Sequence, residues 1–286
     1  MGEIVIPAKF NAHKNYKKMM FLNGYRNVGG GGLLLDNNPE PAAAYSLRKL
    51  RTAYDGYAMR VRRSSDLATL DIGFIDNELD TYALLNFVGA NNDGTVTIFY
   101  DQSLNTNNGS IIISNSTQYA IVVENGDLIL NNALPAIKVD TAFYKLEKAI
   151  TTVTTYSVHR SLSFAKSLYV LLGDSTGGGG LFAGGFFNSI KGIGISDGNN
   201  PTIYSNVENF ETHLTTAVWD VTGKIKVDGV STPAVMNPIV VNNLLRRNQG
   251  AWTYDGLLQE MIIYDTLYPQ SETDIEDNIN AHYNIY

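Results

Sequence analysis

Along most of the chain, apolar positions recur with a period of two in short runs separated by Asn- and Gly-rich turns. This is the signature of half-buried strands. Tyr57, Met59 and Val61 alternate with Ala58, Arg60 and Arg62, residues 69–75 (TLDIGFI) predict a second strand, and residues 95–100 (TVTIFY) a third. Beyond residue 105 the runs SIIIS, QYAIVVENGDLIL, SLYVLLGD, HLTTAVWDVTGKIKVDGV and LLQEMIIYD follow, with hairpins expected at Asn125-Gly126 and Thr222-Gly223. Strands at this spacing, with almost no helix between them, predict an antiparallel sandwich rather than a βαβ sheet. Three segments read as helix. Ala43, Leu47, Leu50 and Tyr54 fall at i, i+4, i+7 and i+11 between Pro41 and Gly56; Asp80 can cap residues 81–88 before Gly89; and Ser271 can cap a closing helix that carries Ile275 and Ile279 on one face.

Residues 1–40 differ from the rest. A basic cluster (Lys14, Lys17, Lys18), the glycines Gly29 to Gly32 and Asn37-Asn38-Pro39 suggest an arm or linker ahead of a packed unit spanning residues 41–286. The formal charge of −7 and pI near 5.1 argue against a nucleic-acid partner. Only 17% of the 286 residues are charged, while 29 are Asn, so neutral polar groups must wet much of the surface. No apolar run reaches the roughly 20 residues of a membrane helix, so no membrane partner is expected. The first twenty residues lack the apolar core and cleavage site of a secretory signal, so synthesis and folding in the cytoplasm are expected. With no cysteine and four scattered histidines (13, 159, 213 and 282), disulfides, thiol nucleophiles and cysteine-based zinc sites are excluded, and no cofactor is expected.

Candidate chemistry is sparse. Asp71 and Asp101 sit at strand ends near Arg60, Arg62 and Arg63. Either could belong to a glycosidase carboxylate pair, but the reading preferred from sequence is structural, with Arg62 and Arg63 among the partners holding these acids in charge-assisted bonds that make poor general acids. Gly177, Gly178, Gly179 and Gly180 lack the Lys-Ser or Lys-Thr of a phosphate loop. Asp76, Glu78 and Asp80 lack the ordered spacing of a calcium loop. Aromatic faces stack on sugars, and Trp252, Tyr254 and Tyr204, with the amide of Asn248 nearby, form the candidate carbohydrate site, whereas Trp219 in an alternating run is expected in the core.

Residues 41–103, with the cores YSLRKLRTAYDGYAMRVRRSSD and YDQS, resemble the start of the catalytic domain of the arabinofuranosidase B family of glycoside hydrolases. The same segment resembles a module of bacteriophage tail and fibre proteins. AVWDVTGKIKVDGV and the segment from YDGLLQE to the closing helix are similar to the last strands of concanavalin-like and laminin-G-like sandwiches. The resemblance implies a concanavalin-like (jelly-roll) β-sandwich with a few short helices and an N-terminal arm. It also implies a retaining mechanism with a glutamate nucleophile in an Asn-Ala-Glu-Thr-type segment and an aspartate acid shortly before the final strands. The glutamate segment is not recognisable, and Leu244 or Leu245 falls near the aspartate position, leaving Asp174 or Glu208 as substitutes. An apolar side chain donates no proton.

From this resemblance the expected protein is a non-enzymatic phage virion component, a fibre, tail or capsid-surface part. It would engage other virion proteins through residues 1–40 as a symmetric homo-oligomer, a trimer being one such arrangement, and display the sandwich toward host surface polysaccharide. The alternative is an arabinofuranosidase-like glycoside hydrolase.

Overall fold

The computed structural model describes residues 32–112, 118–162, 170–174, 179–187, 190–199, 203–205, 210–246, 254–267 and 272–286. These form an antiparallel β-sandwich. One layer is organised around the strand Asp255–Tyr264, which pairs on one side with Thr154–Ser161 and on the other with both Ala43–Ser46 and Ile137–Asp140. From Thr154–Ser161 this layer continues through His213–Val218 and Lys224–Val227 to Val230–Pro233. From Ile137–Asp140 it continues through Tyr119–Glu124 and Gly94–Phe99 to Met59–Arg63 and Thr69–Ile72. The second layer runs from Gly109–Ile112 through Phe143–Thr152, Ile239–Leu244, Val170–Asp174 and Gly179–Phe187 to Ile190–Asp197 and Ile203–Ser205. The two layers join where Ile98 and Phe99 pair with Ser110 and Gly109.

The strand patterns follow from what covers each face. Between the layers lies the main core, which includes Tyr45, Met59, Val61, Phe99, Tyr144, Trp219 and Met261. On the outer face of the first layer, Tyr156, Val158, Leu214, Ile262 and Tyr264 pack beneath Ile275, Ile279 and Tyr283 of the helix Glu272–Tyr283. Central strands are therefore buried on both sides and lose the alternation that would mark them in sequence.

That double burial corrects the expected helix after Pro41. Ala43–Ser46 is a strand, all four residues buried, with Ala43 and Tyr45 in the main core and Ala44 under the closing helix. The irregular segment that follows is held by one side chain. Gln102 accepts from the Leu50 amide at 2.8 Å and donates to the carbonyls of Ser46 and Arg48 at 3.0 Å, replacing the bonds a helix would have made internally. The helix Thr81–Val88 forms as the sequence indicates, with Asp80 accepting from the Ala83 amide at 2.9 Å and Gly89 at its end with φ 73°. At Asn125-Gly126 both residues have positive φ, 53° and 89°, as a two-residue hairpin turn requires. The expected cap Ser271 lies outside the described residues.

Two interior histidines tie the fold to pH. His159 is 1% exposed, with Nε2 3.0 Å from the Thr215 hydroxyl. Burial and the neighbouring His213 push its pKa well below the usual value. Burial and the Arg48 charge do the same to His282, outweighing the Glu78 carboxylate at 3.8 Å. Both rings stay neutral when folded but titrate near 6.5 when unfolded. Their contribution to stability is therefore present above that pH and lost as pH falls, because only the unfolded chain takes up the protons. Stability should therefore fall as the pH drops below about 6.5, by at most about 1.4 kcal/mol per pH unit per group. Urea unfolding at pH 7, 6 and 5 measures this; His159→Gln should halve the slope, and a flat profile would contradict it.

Candidate functional site

Most acidic side chains are committed to the fold. Asp71 receives Arg60 in a bidentate pair, both contacts at 2.8 Å, and the Tyr100 hydroxyl at 2.8 Å, which together hold its pKa below the usual carboxylate range. The register explains the partner, since Arg60 and Asp71 lie directly opposite one another. Asp101, 3% exposed, accepts from the amides of Ala44, Ser103 and Asn107 and from the Ser103 hydroxyl at 2.7 to 3.0 Å. It is a backbone staple and not an arginine partner. Arg63 pairs with Asp66, whose carboxyl is held down to about 2, and Arg62 makes no ion pair among the described residues. The expected Arg62–Asp101 contribution is thus corrected: Arg62 stands opposite Thr69 and Thr95 in the sheet. Glu260, fully buried, accepts from Arg48 at 2.8 and 3.0 Å, from Ser46 at 2.7 Å and from Tyr283 at 3.1 Å. Asp228 is likewise engaged, by His213 at 2.6 Å and by the Leu214 amide.

Asp55 and Asp76 differ. Both line a cleft of about 410 Å³ together with Lys49, Tyr54, Tyr57 and Phe74. Among the described residues, neither carboxylate accepts a hydrogen bond or joins an ion pair, and the Lys49 ammonium is equally uncommitted. The cleft walls are fixed by backbone and ring contacts. Asp76 and Asn77, φ 53° and 67°, make the two-residue turn between the paired segments Phe74–Ile75 and Glu78–Leu79. The Lys49 amide donates to the Asn77 carbonyl at 2.8 Å, bringing the two sides together. Tyr54 packs edge-on against Phe74 at 6.4 Å and donates its hydroxyl to the Tyr57 carbonyl at 2.8 Å. Burial, reinforced by the charges of Asp101 and Asp55, pushes the Tyr54 hydroxyl pKa up, so it serves as a donor.

A second cleft, about 620 Å³, is lined by Asn38, Glu40, Arg51, Ser103, Asn105 and Asp265. It also touches Tyr264, which is only 1% exposed and presents no aromatic face. The first cleft therefore has the better combination for a sugar: apolar ring faces beside polar groups that the fold leaves free.

The structure disperses the residues proposed from sequence. Tyr254 is fully buried, its hydroxyl donating to the carbonyls of Arg160 and Leu257 at 2.8 and 3.1 Å. It is a core residue, which corrects its assignment to a sugar-binding surface. Tyr204 lies in Ile203–Ser205, paired with Gly194, while Trp252, Asn248 and Glu208 lie outside the described residues. Trp219 is in the core, its indole donating to the Ser196 carbonyl at 3.2 Å. Leu244 and Leu245, where the resemblance implies a catalytic acid, are fully buried. Asp174 ends the strand Val170–Asp174, opposite Val241. Gly179 and Gly180 open the strand Gly179–Phe187, whereas Gly177 and Gly178 lie outside the described residues. Asp76, Glu78 and Asp80 separate: Asp76 faces the cleft, Glu78 lies beside His282, and Asp80 caps a helix. Among the described residues no group of three His, Cys, Asp or Glu side chains is placed to hold a metal.

No family model and no curated protein matches the sequence. Solved structures do match the fold. An arabinofuranosidase complexed with arabinofuranosyl-α-1,2-xylobiose superposes with a TM-score of 0.66 over 88% of this chain, at 16% identity. A GH54 α-L-arabinofuranosidase matches at 17% identity over the same share, with TM-scores of 0.65 for a variant soaked with 4-nitrophenyl α-L-arabinofuranoside and 0.63 for the enzyme soaked with a cyclic sulfate inhibitor. The chain spans 64% of the length of each of the three. The expectation of a non-enzymatic virion part is corrected by these matches, which are to glycoside hydrolases and carry no sign of a phage origin. At such identities they establish the architecture: the chain has the β-sandwich fold seen in arabinofuranosidases.

Proposed function

We propose that this chain is a glycoside hydrolase that releases arabinofuranosyl groups, with Asp55 and Asp76 as its two carboxylates. The observation that carries the reading is the fold shared over 88% of the chain with an arabinofuranosidase bound to an arabinosylated xylobiose. Glycoside cleavage needs one carboxyl to protonate the leaving oxygen and a second to act as nucleophile or base, roughly 5 to 9 Å apart. A carboxylate already saturated by donors serves neither role well, which removes Asp71, Asp101 and Glu260. Asp55 and Asp76 share a cleft and, among the described residues, have no hydrogen-bond or ion-pair partner. Lys49 lines the same cleft, where its ammonium can donate to a sugar hydroxyl. The acids then stand elsewhere than the family resemblance implies, consistent with Leu244 and Leu245 being apolar and enclosed.

The test is sugar release by the purified chain from arabinofuranosyl-xylo-oligosaccharides, followed by chromatography. Free arabinose above the buffer rate is expected. Absence of release from the oligosaccharides and from an activated aryl arabinofuranoside would overturn the assignment.

A further inference from the structure

The same cleft carries a feature that a single-sugar site would not need. Tyr57 stands at its lip with 49% of its surface exposed. Its ring is supported on two sides. Gly73 lies against it, so that a Cβ there would sit 3.6 Å from Tyr57 Cδ1. Tyr100 lies 6.2 Å away at 46°, fixed by the bond from its hydroxyl to Asp71 at 2.8 Å. Burial and that carboxylate raise the Tyr100 hydroxyl to about 12, so the bond persists through the neutral range. The Tyr57 backbone is held by the Tyr54 hydroxyl on its carbonyl. An exposed ring with its backbone and backing fixed loses little freedom on stacking against a sugar face. A volume of about 410 Å³ also lies in the range that accommodates ligands larger than one sugar unit.

We infer that the cleft takes a saccharide chain of at least two rings, with Tyr57 as the stacking platform for the ring adjacent to the one held between Asp55 and Asp76. The position of the scissile bond in this inference rests on the hydrolase reading; the platform itself does not. Stacking of this kind contributes about 1.5 kcal/mol, or roughly tenfold.

Tyr57→Ala tests it, with Tyr57→Phe as the variant that keeps the ring. Tyr57→Ala should raise KM for an arabinosylated xylo-oligosaccharide about tenfold with kcat little changed, raise KM for the one-ring methyl arabinofuranoside by much less, and be rescued by Tyr57→Phe. Calorimetric binding of the same oligosaccharide separates the two readings. Binding without hydrolysis, weakened about tenfold by Tyr57→Ala, would sustain the platform and remove the hydrolase. Hydrolysis with identical constants for wild type and Tyr57→Ala would remove the platform and sustain the hydrolase. Neither binding nor hydrolysis would remove both.

Discussion

Asp55→Asn and Asp76→Asn should each lower arabinofuranoside hydrolysis by about 10²- to 10⁴-fold, the range associated with losing a positioned acid, base or nucleophile. The substrate distinguishes the roles. A 4-nitrophenol leaving group departs without being protonated, so the variant lacking the general acid should retain far more activity on the nitrophenyl glycoside than on an oligosaccharide. The variant lacking the nucleophile or base should lose activity on both. Neither exchange should change the unfolding free energy by more than about 0.5 kcal/mol, because among the described residues neither carboxylate bonds to the fold. Wild-type activity in both variants would move the chemistry out of this cleft, and Asp174→Asn and Glu208→Gln would be the next variants to measure.

Glu260→Ala should destabilise the protein by about 3 to 5 kcal/mol. Glu260 is fully buried and is the carboxylate that neutralises Arg48. Burial alone would lower the pKa of that guanidinium; the charge of Glu260 and its hydrogen bonds reverse the effect and raise it. Removing the carboxylate leaves Arg48 charged in a nearly dry site, with Asn278 at 2.9 Å and the face of the Tyr283 ring among its contacts and Glu78 as a more distant acid. The Ser46 and Tyr283 hydroxyls lose an acceptor as well. Guanidinium chloride unfolding gives the magnitude. The double variant Arg48→Met with Glu260→Leu should recover much of the loss, since replacing a buried pair by apolar groups is often near neutral. A loss below about 1 kcal/mol for Glu260→Ala would show that water reaches the site.

Where one face of an element was wet, its sequence was readable. Asp80 and Gly89 bracket a half-exposed helix, and Met59–Arg63 alternates buried with partly exposed residues. Ala43–Ser46 carries a helical spacing in sequence and is a strand in the structure because both of its faces are covered, leaving only apolar spacing that a helix would share. The Arg60–Asp71 pair follows from antiparallel register, but the amides that hold Asp101 come from Ala44, Ser103 and Asn107, two local and one distant, and no spacing rule announces them. The cleft was invisible for a related reason. Asp55 and Asp76 sit in unremarkable turns, and what singles them out is the absence of any bond to them among the described residues. That can be read only once every neighbour is placed. Tyr254 shows the converse: a Tyr after a polar stretch resembles a surface ring until its partners, Arg160 and Leu257, are seen.

The pairing of Ala43–Ser46 with Asp255–Tyr264 also sets the order in which the protein can be completed on the ribosome. Ala43 meets Ile263, so the earlier strand emerges and waits for its neighbour while most of the chain is made, roughly 10 to 40 s at bacterial or eukaryotic elongation rates. Throughout that interval Arg48 has no Glu260, and the apolar faces of Ala44 and Leu50 have no closing helix. The central layer can therefore close only after Asp255–Tyr264 has been made, which makes this a non-local topology of the slow-folding kind.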